Sequence, residues 1–174
     1  MKLYYDVFPT DFGWYAAAVS DRGLRYSSMR SSPQEAVESL MPQIKGAVFD
    51  QGPVREVREQ IQDFFAGKPL CLDQIQLDLE GAPAFHRAAW EACRSIPLGE
   101  TRSYAWLAAQ AGRPGAYRAA GQAMARNWVP IVIPCHRVIG SDGGLHGYGA
   151  GGLLVKERLL KAEAAFASQV ESAH

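Results

Sequence analysis

The 174-residue sequence is short of several things, and each shortage removes a class of function. Three cysteines, Cys71, Cys93 and Cys135, form an odd set with no CxxC spacing, so neither a disulfide framework nor a zinc ribbon is expected, and the thiols are free. Four histidines, His86, His136, His146 and His174, fall at no metal-ligand spacing, and no metal is expected. No apolar run approaches the ~18 residues of a membrane span, and Met1-Lys2-Leu3-Tyr4-Tyr5-Asp6 has no signal-peptide pattern. No membrane partner is expected, and the chain is expected in the cytoplasm.

Net charge is also missing: 18 basic residues balance 18 acidic ones. The balance is local, however, not uniform. Residues 1–80 carry 8 basic and 12 acidic side chains, and residues 81–174 carry 10 and 6. From Thr101 to Ser141 there is no Asp or Glu at all, while Arg102, Arg113, Arg118, Arg126 and Arg137 lie there without a single lysine. Arginine forks suit phosphates and base edges, so a nucleic-acid partner is expected on this stretch in spite of the neutral total.

What is present is enough for a packed fold: 48% apolar residues can bury one core or two small ones. The start reads as short strands, Leu3–Phe8, Trp14–Val19 and Leu24–Ser27, rich in aromatic and β-branched residues. A helix is expected from Ser32-Pro33 with Glu35 in its first turn. A second follows Gly52-Pro53, with Val54, Val57, Ile61, Phe64 and Phe65 at helical spacing and Gly67 at its end. Lys68 to Gly81 reads as a linker with a short strand. The expected domains are 1–78, an α+β scaffold without a catalytic pattern, and 79–174.

In the second domain Pro83 opens a helix to about Ile96, which makes Cys93 a core residue. Two short helices, Ser103–Gln110 and Ala116–Ala125, flank Ala111-Gly112-Arg113-Pro114-Gly115 in a helix-turn-helix pattern whose second helix can enter a DNA groove. In that second helix small residues surround Arg118, which fits either a close-packed interior or a surface past which the arginine projects. Val129–Pro134 is a short apolar run with strand character, stiffened by two prolines and unsuited to a central ladder.

Cys135 follows that rigid run, next to His136 and Arg137. An ordinary thiol is only a few per cent ionised at neutral pH, so a nucleophilic cysteine needs a base or a positive neighbour, and both residue types are adjacent. Ser141 to Gly152 then holds six glycines, a loop that admits a planar ligand or is simply surface. The helix from Leu153 to Phe166 returns Glu163 as a candidate partner for His136, giving Glu-His-Cys. These residues alone leave a cysteine hydrolase, a winged-helix regulator and an alkyl acceptor open.

The motifs together are more specific. Ile96-Pro97-x-Gly-Glu-Thr-x-Ser103-Tyr104, Arg118-Ala-x-Gly121, Asn127, Ile133-Pro-Cys-His-Arg-Val-Ile139, Ser141-Asp-Gly143 and Gly151-Gly-Leu-x-x-Lys156-Glu resemble the methylated-DNA-protein-cysteine methyltransferases, or O6-alkylguanine-DNA alkyltransferases. The resemblance runs from Phe85 through Glu163. It implies an α+β protein with a small ribonuclease H-like N-terminal domain and a mostly helical, winged-helix-like C-terminal domain. It also implies DNA repair by single-use transfer of an alkyl group from O6-alkylguanine, with no cofactor, by a monomer bound in the minor groove of duplex DNA with the damaged base flipped out.

The same resemblance assigns residues. Cys135 accepts the alkyl group, His136 deprotonates it through water, Glu163 orients His136, and Asn127 holds the turn. Arg118 is the finger that replaces the extruded base, and Tyr104 helps rotate the phosphate. Arg137, Val138, Tyr148, Gly149 and Ala150 contact DNA or the base. Three features depart from the family's pattern: Trp128 stands where proline is usual, the glycine loop is one residue longer around Gly149-Ala150 with His146 nearby, and the N-terminal half has none of the zinc ligands of some animal members. Alkyltransferase-like proteins, which bind damage without repairing it, lack the cysteine found here at position 135.

Overall fold

A computed structural model describes residues 1–68, 72–144 and 152–172. They form two compact units: Met1–Leu79 with Trp128–Val132, and Glu80–Asn127 with the residues from Ile133 onward.

The first unit is built on β1 (Tyr4–Thr10), β2 (Gly13–Ser20) and β3 (Gly23–Arg30), an antiparallel meander, with the two-residue β4 (Val48–Phe49) parallel to β1 at its edge. Two-residue turns join the meander, which fits the Asp11-Phe12 and Asp21-Arg22 breaks in the apolar pattern. Both faces of the sheet are covered. Helix α1 (Pro33–Leu40) starts at Ser32, whose Oγ accepts from the Glu35 amide at 3.2 Å, and buries Ala36 and Leu40 against Ala16 and Ala18. Helix α2 (Gln51–Phe65) is capped by Asp50 and begins two residues ahead of Pro53. It buries Val54, Val57, Ile61, Phe64 and Phe65 and sets Arg58 3.1 Å from Asp6, a carboxylate buried in the opposite face of β1.

The linker strand is short. Leu24 and Leu77 make a single parallel bridge, with Leu24 N donating to Gln76 O and Asp78 N to Leu24 O, both at 2.9 Å. Gly23 permits it: its φ is +140°, and a Cβ there would sit 2.4 Å from Gln76 O.

Like Leu79, the segment Trp128–Val132, within the expected second domain 79–174, is grouped with the first unit. It is no strand but a tight turn around Ile131, a buried β-branched residue at φ +78°, a conformation that costs about 1–3 kcal/mol unless its surroundings hold it. The surroundings do. Ser27 N donates to Trp128 O at 2.8 Å, and the Tyr15 hydroxyl donates to Pro130 O at 2.9 Å. The Trp128 ring, the departure from the family's proline, packs 5.1 Å from Tyr26, and the Arg25 guanidinium lies over both rings while reaching Asp78 at 3.3 Å.

The second unit is mostly helical: α3 (Ala84–Arg94), α4 (Tyr104–Gln110), α5 (Tyr117–Ala125) and α6 (Leu153–Ser172), with β5 (Arg102–Ser103) parallel to β6 (Val138–Ile139). Ser103 caps α4 by accepting from Trp106 N at 3.0 Å. Buried Trp90 of α3 donates through Nε1 to Ala123 O of α5 at 2.8 Å, which fixes the helix behind Arg118. Gly99, at φ +84°, lets α6 pass: a Cβ there would lie 2.7 Å from Cβ of Ala167. Cys93 is fully buried, as expected of a core residue. Among the described residues no helix is long and apolar enough to cross a membrane. The arrangement is an α+β fold, as expected.

Candidate active site

Cys135 opens a 3-10 turn, Cys135–Arg137, directly before β6. The turn forms because Pro134 cannot continue a ladder, and Cys135 N donates back to Ile133 O at 2.8 Å. Asn127 closes the loop from the other side, Nδ2 donating to Ile133 O at 2.8 Å. Cys135 is 7% exposed, His136 is fully buried and Glu163 is 1% exposed.

Glu163 reaches the turn from α6. His136 Nε2 hydrogen-bonds its Oε1, and Arg137 grips the same carboxylate with Nε 2.8 Å and Nη2 2.6 Å from Oε2. The remaining Arg137 nitrogen, Nη1, donates to Ile96 O at 2.7 Å. Burial pushes the Glu163 carboxyl up, but electrostatic attraction to the imidazole of His136 and its hydrogen bond, joined by the hydrogen bonds and charge of Arg137, overcome it and hold the group at about 2. The carboxylate is therefore ionised throughout the neutral range. With Nε2 bound to it, Nδ1 is the imidazole nitrogen left to take a proton.

The thiol itself is not pre-ionised. Burial raises Cys135 above the ordinary thiol range, while the Asn127 side chain, the Lys156 charge and the backbone amides of Cys135 and His136 pull the other way without cancelling it. A neutral, buried thiol needs a base at the moment of reaction, and His136 is adjacent.

Lys156 is a motif position to which the resemblance assigns no role. It is 1% exposed on α6, its Nζ donates to Val138 O at 2.8 Å, and burial lowers its pKa while the two thiols raise it. The signal lay in the sequence: Lys156 and Glu163 stand two helical turns apart with Leu159 between them, so two charges share a core face. Val138 is buried, and its carbonyl accepts the Lys156 ammonium.

The other expected residues divide into three groups. Tyr104, the first residue of α4, is half-buried, and its phenol is raised by burial and by the charges of Cys135 and Cys93, so it remains a donor near the thiol. Arg118 is exposed in the first turn of α5. Arg137, expected to face DNA, spends its guanidinium on Glu163 and Ile96. Tyr148, Gly149 and Ala150 lie outside the described residues, as does His146. Among the described residues no cluster of His, Cys, Asp and Glu could hold a metal.

Residues 84–165 match the 6-O-methylguanine DNA methyltransferase DNA-binding domain. A methylated-DNA--protein-cysteine methyltransferase of Methanosarcina barkeri is 40% identical over 161 residues, 92% of this chain and 97% of that protein. The chain belongs to that family. A second methylated-DNA--protein-cysteine methyltransferase, from Mycobacterium leprae, is 43% identical over 138 residues, covering 79% of this chain and 82% of its own. Among solved structures, the Mycobacterium tuberculosis OGT in complex with DNA superposes with a TM-score of 0.81 at 35% identity, over 94% of each chain. In this methyltransferase Cys135 is buried and directly precedes His136 and Arg137, which both bind Glu163.

Proposed function

We propose that the chain repairs DNA by moving an alkyl group from O6-alkylguanine to Cys135 in a single, irreversible event. Family membership supports the reaction class, and the convergence of His136 and Arg137 on Glu163 beside a neutral thiol is the observation that carries the assignment.

Glu163 fixes the imidazole so that its other nitrogen, Nδ1, takes the thiol proton, directly or through one water. Asn127 and Lys156 stabilise the thiolate as it forms. The thiolate attacks the alkyl carbon, an S–C bond forms, the C–O6 bond breaks, and its electron pair passes to the guanine oxygen. The proton that His136 takes from the thiol is balanced by one returned to the base, which restores guanine, and Tyr104 donates a hydrogen bond there. The thioether resists hydrolysis, so each molecule acts once, and no cofactor is required.

A base inside a duplex is out of reach of a buried thiol. The lesion must be extruded, at a cost of about a few kcal/mol that weakened pairing lowers. Arg118 fills the vacated place in the stack from the minor groove, a familiar device of minor-groove binders. Phosphate contacts supply most of the affinity, so binding is sequence-tolerant and weakens with salt. The protein acts as a monomer in the cytoplasm.

The test is intact-mass analysis after incubation with duplex DNA containing O6-methylguanine. One methyl in place of one hydrogen, on the Cys135 peptide, is expected at one equivalent. Continued turnover without an adduct would favour a cysteine hydrolase instead.

A further inference from the structure

Helix α5 presents an outward face made of Tyr117, Arg118, Gly121, Gln122 and Ala125. Gly121 sits in mid-helix, where glycine is destabilising relative to alanine. Nothing in the fold asks for it: a Cβ there would meet no other described atom within 4 Å. An unforced glycine on an open helix face leaves room for something outside the protein to lie close to the helix backbone.

Tyr117 breaks that flat surface. It is the first residue of α5, 57% exposed, and one of few large apolar side chains so exposed among the described residues. Side chains on a helix lean toward its N-terminus, so the ring stands off the start of α5 and leaves the space over Gly121 open. The cations of this stretch, exposed Arg113, Arg118 and Arg126, are joined by no acidic residue from Thr101 to Ser141. The field there favours a polyanion, and a phenol ring offers what arginine alone does not, an apolar plate for a sugar or a base.

We propose that Tyr117 is a DNA-contact residue of this chain, its ring packing on the deoxyribose edge of the duplex beside the position taken by Arg118. The proposal rests on the reading of α5 as the helix that meets DNA. An uncharged ring adds contact without releasing counterions, so it strengthens binding without steepening its salt dependence.

The experiment compares single-turnover rates on an O6-methylguanine duplex and on free O6-benzylguanine for the full chain and for Tyr117→Ala, Tyr117→Phe and Arg118→Ala. Loss of an aromatic contact slows duplex repair by Tyr117→Ala about tenfold and leaves its free-base rate within about twofold, with Tyr117→Phe recovering most of the duplex rate. The duplex salt slope is unchanged for Tyr117→Ala and falls by about one for Arg118→Ala. A Tyr117→Ala protein that repairs duplex at the original rate overturns the proposal, as does one slowed equally on both substrates. If Arg118→Ala is also without selective effect on duplex, the placement of α5 falls with it; if Arg118→Ala alone is selective, only the role of Tyr117 falls.

Discussion

Arg137 holds Glu163 by two nitrogens, Nε at 2.8 Å and Nη2 at 2.6 Å from Oε2, while the preceding residue, His136, binds the other oxygen of the same carboxylate. Two consecutive side chains of one 3-10 turn thus converge on a single residue of α6. The carboxylate orients the imidazole, and the guanidinium keeps the carboxylate ionised and in place. A paired acid that is 1% exposed tolerates little change: removing its charge leaves the part-buried Arg137 without its counterion.

Glu163→Gln should therefore slow alkyl transfer by about tenfold or more, a part of the ~10²–10⁴ that a positioned general base supplies. Single-turnover rates on duplex substrate measure it, and Arg137→Lys, which keeps a charge but not the fork, should fall between the two.

Stability should depend on the same carboxyl. Its folded value, about 2, lies below the ordinary 4.5, so its contribution is fully present above 4.5 and is lost as pH falls from 4.5 toward 2. Thermal melts across that window should show the advantage of the unaltered protein over Glu163→Gln shrinking as pH drops.

Lys156→Met removes a charge that pulls the Cys135 thiol down and keeps the volume of the buried side chain. The thiol should then ionise at higher pH. The pH dependence of Cys135 alkylation by iodoacetamide should shift upward, and an unmoved profile would contradict the role of Lys156.

Tyr15→Phe takes a donor from Pro130 O within the first unit and should cost about 1–3 kcal/mol in urea denaturation. Trp128→Ala, which removes the ring under Arg25, should destabilise as well, because the strained turn at Ile131 loses part of what holds it.

Much of this was legible from residue patterns. The spacing of Val54, Val57, Ile61, Phe64 and Phe65 gave α2, and Ser32-Pro33 gave the start of α1, because local capping and one apolar stripe decide both. Helix α6 runs to Ser172, beyond the expected Phe166, where Ala167, Ser168 and Gln169 carry no apolar stripe to mark its continuation. The turn at Trp128–Val132 was not readable, since Tyr15 and Ser27 bind it across more than a hundred residues. Arg137 looked like a DNA contact because its own stretch holds no acid, yet its partner stands 26 residues downstream. Lys156 stands in a motif yet carries no role there, because a lysine defaults to solvent, and only its place on the inner face of α6 marks it as an exception.

The central claim is that Cys135, activated by His136 on Glu163, accepts one alkyl group from DNA. Intact mass and peptide mapping after incubation with an O6-methylguanine duplex test it most directly. The account predicts one methyl per molecule, confined to the peptide holding Cys135, with guanine restored in the strand and no adduct on Cys135→Ser. Restored guanine without that adduct, or an adduct on another residue, would contradict it.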